Sequence, residues 1–168
     1  SLKKRFSKVD SRDFAQPPAK GRSFSAFYSS LSQILKASDL KAVVEAVVKA
    51  RKAKKAVIFM AGAHVIKCGL SPVVIELVRK KIITCICLNG AGIIHDFEIA
   101  LQGKTSEDVA ENLKNGRFGM GQETADFINK AAEDGVGEGL GLGAAIASRI
   151  SSAKLPNKKQ SILYNAYK

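Results

Sequence analysis

"LNGAGIIHDFEIAL", residues 88–101, is the stretch on which the fold turns. A run of β-type residues, Ile82 to Asn89, meets Gly90-Ala91-Gly92, and His95, Asp96 and Glu98 follow within six residues. Small residues at a strand end permit a sharp turn, and the spacing beyond them is that of a helix. The junction is open to two readings, a ligand site or only a tight turn between strand and helix. Upstream, Ser71-Pro72 is a good helix start, and the apolar and basic residues up to Lys81 continue that helix. Before it lies Ala56-Val57-Ile58-Phe59-Met60, an unbroken apolar run expected as a strand buried on both faces, ending in Ala61-Gly62-Ala63-His64. Strand, helix, strand predicts a βαβ unit with a parallel pair and a right-handed crossover.

Further out, residues 1–22 lack periodicity, contain Pro17-Pro18 and read as a basic extended arm. Residues 23–168 read as a single α/β domain. Phe24, Phe27, Tyr28, Leu31, Ile34 and Leu35 follow helical spacing. Ser38 is expected to cap a second helix over 39–54, whose stripe Leu40, Val43, Val44, Val47 and Val48 opposes a surface face of Lys41, Glu45, Lys49 and Lys52. Downstream, Thr105 to Asp108 suggests a helix start and Asn115-Gly116 a stop. A helix is expected over about 122–133, closed by Asp134-Gly135. The alternating Gly137, Gly139, Gly141 and Gly143 run into helical residues 144–151 and are read as close helix packing. A last amphipathic helix opens at Pro156-Asn157. Two strands among so many helices predict a parallel sheet that is incomplete here. The chain is then expected to be the N-terminal part of a longer protein, or to have its sheet completed by another chain.

The 168 residues carry 27 Lys and Arg against 15 Asp and Glu, a net charge of +12, but unevenly. Residues 1–55 hold 14 basic and 4 acidic side chains, whereas residues 82–138 are net acidic. Basic ends around an acidic middle, without interleaved aromatics, predict solvated surfaces and a mobile arm. Nucleic-acid contact through that arm is the alternative. The N-terminus lacks the apolar segment of a secretory signal, no apolar run has transmembrane length, and a cytoplasmic protein without membrane contact is expected. Cys68, Cys85 and Cys87 are read as reduced core thiols, with Cys85 and Cys87 on opposite faces of their strand.

The two strand ends should share one edge of the sheet, where open α/β sheets bind ligands through backbone N–H groups at helix N-termini. His64 and His95, the only histidines, each follow one of these ends. His95 is the candidate acid or base, and Asp96 a candidate for a ribose or the substrate. Lys67 lies one helical turn beyond His64, where an anionic group would meet it. Gly90-Ala91-Gly92 departs from the G-x-G-x-x-G fingerprint, and no metal-ligand set is evident.

"AGAHVIKCGL" (61–70) and "NGAGIIHDFEIAL" (89–101), each after a strand, resemble the N-terminal half of deoxyhypusine synthases and their homologues. The resemblance implies a Rossmann-like parallel sheet flanked by helices, a tetramer or other homo-oligomer, and NAD as cofactor. It also implies transfer of an aminoalkyl group to or from a small-molecule ligand. Carried over, the cofactor contacts fall on Ala63, His64, Val65, Ile66 and Lys67, and on Asn89, Gly90 and Ala91. The family's tandem acidic pair falls on Ile94 and His95, so the carboxylate pair a spermidine dication needs is absent. The family's essential lysine has no counterpart in these residues. The rival expectation is a non-catalytic binding or scaffold protein.

Overall fold

The computed structural model describes residues 9–119 and 121–168, and the first eight residues of the basic arm lie outside that description. The chain divides into two compact units, Ser1–Lys55 and Ala56–Lys168. The boundary falls within the stretch read from sequence as one domain.

In the first unit the described part of the arm is tied down. Asp10 caps a 3-10 turn at Ser11–Asp13, and its carboxylate takes the backbone N–H of Arg12 at 2.9 Å and the guanidinium at 2.7 Å. The N–H of Gln16 donates to the Ser30 carbonyl, and that of Gln33 to the Asp13 carbonyl. Helix α1, Phe24–Ser30, starts at Ser23, whose hydroxyl accepts from the Ala26 N–H. It ends sooner than its apolar spacing predicts, because Leu31 is extended.

Helix α2, Leu35–Lys52, corrects the sequence reading twice. Ser38 lies inside the helix rather than at its cap. The chain enters one turn earlier, through extended Ile34 and a left-handed Leu35 (φ 49°), and Lys36 pairs with Asp39 in the first turn. Of the expected solvent face, Glu45, Lys49 and Lys52 are exposed and Lys41 departs from it. Lys41, assigned to the solvent face, is buried and donates from Nζ to the Leu31 carbonyl at 2.6 Å. Its methylene stem fills space while its ammonium satisfies the carbonyl of the residue that caps α1. Of the expected core stripe, Leu40, Val43, Val44 and Val48 are exposed and Val47 is half-buried.

The second unit carries the expected βαβ core. Strands β1, Ile58–Ala61, and β2, Cys85–Leu88, pair in parallel with Ile58 opposite Cys85 and Ala61 opposite Leu88. Both are shorter than the apolar runs that announce them. Thr84 sets the register, accepting the Val57 N–H through Oγ1 at 2.9 Å and donating its own N–H to the Val57 carbonyl. Between the strands lie α3, His64–Lys67, and α4, Ser71–Arg79, with Pro72 in its first turn. The two-stranded parallel sheet flanked by helices is an α/β arrangement.

Among the described residues of this unit, the two faces of that sheet differ in burial. Phe59 and Ile86 pack with buried Ile66, Val74, Ile75 and Ile83, whereas Ile58 and Met60 on the opposite face are exposed. The expectation of strands buried on both faces is thereby corrected, and the thiols with it. Cys68 and Cys85 are exposed and Cys87 is half-buried. Cys85 and Cys87 stand on the same face, sulfurs 4.0 Å apart, as residues two apart in a strand must.

Helix α5, Gly90–Gln102, follows β2 directly, and α6, Val109–Leu113, begins at Asp108, which caps it. Helix α7, Gln122–Gly137, passes through the expected stop at Asp134-Gly135 and packs on α8, Leu142–Ser152. That packing corrects the glycine reading. A Cβ on Gly135 would meet the Ala145 Cβ at 2.4 Å, while Gly137, Gly139, Gly141 and Gly143 have open space where theirs would be. Helix α9, Ile162–Tyr167, closes against α4 and α8, starting six residues later than Pro156 suggests. Ile93, Phe97, Ala100, Ile146, Ile150 and Leu163 form the larger core, onto which Phe127 stacks against Phe97 at 4.1 Å. Among the described residues, no helix is long and apolar enough to cross a membrane.

Candidate functional site

Helix α5 is both the core helix and the wall of the site, because its 13 residues divide between two faces. Ile93, Phe97 and Ala100 are buried, while Ile94, His95 and Glu98 are part-exposed on the flank. Asn89 starts the helix, its side chain accepting the Gly92 N–H at 2.9 Å, and left-handed Gly103 (φ 72°) ends it. The chain then folds back so that Thr105 reaches the His95–Glu98 flank.

On that flank lies a cleft of about 430 Å³. Its apolar wall comes from Ile93 and Ile94 of α5, Ala125 and Ile128 of α7, and Leu142 at the start of α8. Gly90 lies at one end, and His95, Glu98, Glu107, Thr124 and Asn129 supply polar groups. An apolar enclosure with a few convergent polar groups is the usual form of a small-molecule site. The lining holds two carboxylates and no Lys or Arg, so its field favours a cationic group.

The polar groups form one chain of hydrogen bonds. Thr105 donates its hydroxyl proton from Oγ1 to Glu98 Oε2 at 2.5 Å, and the same oxygen lies 2.5 Å from His95 Nδ1. A threonine hydroxyl has one proton, so the oxygen that donates to Glu98 must accept from the ring. Nδ1 of His95 is thereby the protonated nitrogen, and the neutral form of the ring carries its lone pair on Nε2. Among the described residues Nε2 has no partner. Thr124 donates to the other oxygen, Glu98 Oε1, at 3.4 Å, and the Glu98 carboxylate stands 3.6 Å from His95 Nδ1. This is the arrangement of a base with its orienting groups behind it.

Of the residues singled out from sequence, Gly90, Ile94, His95 and Glu98 line this cleft. Asp96 lies on the other side of α5, fully buried. Its carboxylate accepts from Ser161 Oγ at 2.6 Å, the Ile162 N–H at 2.7 Å and the Leu163 N–H at 3.1 Å, which fastens the start of α9 to α5. Burial pushes its pKa above the ordinary value, against the opposite pull of those three donors. The two strand ends do meet: the Asn89 N–H reaches the Ala61 carbonyl at 3.4 Å, and a Cβ on Gly62 would stand 3.2 Å from Asn89 Nδ2. Ala63 and Ile66 are buried and offer only backbone to a ligand, Val65 is half-buried, and His64 and Lys67 are exposed on α3, which packs against α5.

Thr105, Glu107 and Thr124 escape the sequence reading as site residues. Thr105 and Glu107 read as a helix start, and nothing local tells that 105 and 124 return to residues 95 and 98. The (i, i+3) spacing of His95 and Glu98 was the available signal.

Backbone is open to a ligand along this edge. Gly90 has open space around its Cβ position, so a ligand can approach the first turn of α5, where backbone N–H groups lack helical partners. The acidic cleft itself suits no phosphate. The residues therefore fit a pyrophosphate at the Asn89–Ala91 end and uncharged or cationic groups along His95 and Glu98.

The comparisons with known proteins agree with the motif positions. No curated protein matches the chain significantly. The family model described as deoxyhypusine synthase matches residues 27–117, more than half of the 168 residues, and spans both strand ends, α5 and Thr105. The chain belongs to the deoxyhypusine synthase family.

Proposed function

We propose that the cleft beside α5 is the ligand site of a deoxyhypusine synthase-like enzyme on a Rossmann-like sheet, and that it handles an amine-bearing small molecule. The observation that carries this reading is the convergence of Gly90, His95 and Glu98 on one cleft of about 430 Å³, with Thr105 bonded to both His95 and Glu98. NAD is the proposed cofactor, on family grounds. The residues to hold it are Asn89, Gly90 and Ala91 at the start of α5, with His64, Lys67 and the backbone of Ala63, Val65 and Ile66 beside them. When bound, NAD supplies a hydride acceptor, the chemistry that converts an amine carbon into one open to attack.

In this reading His95 is the catalytic base. Its Nε2 takes a proton from the ligand amine or its neighbouring carbon, and Thr105 and Glu98 hold the ring so that the lone pair faces outward. Glu98 and Glu107 supply the negative field for the amine that Ile94 does not. Ile93, Ile128 and Leu142 keep water from the reacting end. Asp96 supports the site from behind, by fixing α5 against α9.

Isothermal titration of the full-length protein with NAD, then with diamines and polyamines in its presence, tests the proposal. The wild type should bind NAD, and Gly90→Val should not. Gly90 has open space at its Cβ position and no positive φ, so the variant is expected to fold. His95→Ala should keep the fold, checked by circular dichroism, and lose turnover. Equal ligand binding and turnover by wild type and a folded His95→Ala would end the assignment of His95 as the base.

A further inference from the structure

Within the second unit, the more exposed face of the β-sheet carries three sulfur-bearing residues that the candidate site does not use. Cys85 and Cys87 project on that face with their sulfurs 4.0 Å apart. In the parallel register Met60 is the partner of Cys87 and Ile58 the partner of Cys85, so Met60 belongs to the same face. Met60 is 77% exposed, Cys85 is exposed and Cys87 half-buried. We propose that Cys85 and Cys87, with Met60 beside them, form a surface site for one soft, monovalent thiophilic metal ion of the Cu(I) type.

The separation suits an ion between the thiols. Two metal–sulfur bonds of about 2.3 Å place their sulfurs about 3.8 Å apart at a tetrahedral angle and about 4.6 Å apart when linear. The observed 4.0 Å lies between these limits, so an ion enters without backbone movement. A disulfide fits less well. It needs the sulfurs at about 2.05 Å, while residues two apart in a strand hold their Cα atoms about 6.6 Å apart, at the upper end of what a disulfide spans.

The donor set decides the class of ion. Among the described residues no cluster of three His, Cys, Asp or Glu side chains is placed to hold a metal, so a closed tetrahedral zinc site is not offered. Two thiols and a thioether are soft donors that select Cu(I), which accepts two or three sulfurs. Binding is a simple exchange: each thiol releases its proton to solvent, two metal–thiolate bonds form, the neutral Met60 thioether adds a third metal–sulfur bond, and no electron is transferred.

The test is an anaerobic titration of the full-length reduced protein with Cu(I) held by a chromogenic chelator. Wild type should withdraw one Cu(I) per chain. Cys85→Ser and Cys87→Ser should each abolish the transfer. Cys68→Ser, which alters an exposed thiol on another element, should leave it intact. Met60→Leu should weaken it by about tenfold, the loss of one soft ligand of three. Alkylation mapped by mass spectrometry on the wild type needs no variant: Cu(I) should protect Cys85 and Cys87 and leave Cys68 reactive. No transfer to the wild type, transfer retained by Cys85→Ser, or protection of Cys68 alone would overturn the proposal.

Discussion

A single hydroxyl decides the chemistry of the candidate site. Thr105 can donate one proton, and because Glu98 receives it, Nδ1 of His95 holds a proton and the neutral ring presents Nε2 as a lone pair. Thr105→Val keeps the shape and removes both bonds. It should cost about 1–2 kcal/mol in urea unfolding, the range for orphaning part-buried polar groups, and cut turnover while the fold persists. Nitrogen NMR should find the Nδ1–H tautomer of His95 in wild type, and a mixture in the variant. A neutral wild-type ring protonated on Nε2 and not on Nδ1 would show that the relay runs otherwise. Asp96, its neighbour, makes a different argument. Asp96→Asn cannot accept from all three donors at the start of α9, and should destabilise the protein by about 1–3 kcal/mol. Its raised pKa means the folded chain holds the proton more tightly than the unfolded one. That share of stability is therefore full below the ordinary carboxyl value of 3.8 and lost as pH rises through the raised one. The difference between wild type and Asp96→Asn should shrink from acid to neutral pH; a difference that widens would mean that the three donors outweigh burial.

At the scale of elements, the close approach of α7 to α8 passes through one glycine. A methyl on Gly135 would overlap the Ala145 Cβ at 2.4 Å, so Gly135→Ala should cost about 1–3 kcal/mol by overpacking. Gly137→Ala, in the same helix with open space and no positive φ, should be neutral or stabilise by up to about 1 kcal/mol. Thermal melts of the pair would separate the two, and equal melts would remove the packing argument. The contrast also shows what the sequence made legible. The βαβ unit was readable because Ser71-Pro72, the two apolar runs and the small-residue turns are local signals, each tied to one element. The pairing of Gly135 with Ala145 was hidden, since a run of alternating glycines draws attention to 137–143 while only the partner helix reveals which glycine is touched. The same limit hid Thr105 and Thr124 from the site. Periodicity in α2 distinguished two faces but not which would be covered, because Lys41 is claimed by the Leu31 carbonyl, ten residues away.

The whole molecule is left with apolar surface in each of its units. Helix α2 exposes Leu40, Val43, Val44 and Val48 in succession along one side, and the sheet exposes Ile58 and Met60. Apolar side chains clustered on an element usually mark contact with another surface. The basic last turn of α2, with Lys49, Arg51 and Lys52, adds charge to the same helix, while the segment 82–138 is net acidic. We expect self-association in which α2 of one copy packs against another copy, and Val43, 60% exposed, is the residue to probe because its side chain supports little inside its own unit. Val43→Glu places a charge in any apolar contact made there, at a cost of several kcal/mol when it is desolvated without a partner. Light scattering of the full-length protein at micromolar concentration should find an oligomer for wild type and a smaller species for Val43→Glu. Circular dichroism should match between the two, because an exposed position on one helix leaves its own unit undisturbed. A salt series separates the two contributions: if charge steering dominates, wild type dissociates as ionic strength rises, whereas apolar burial holds or strengthens. A monomeric wild type, or a Val43→Glu protein of unchanged mass, would remove α2 as the assembly surface.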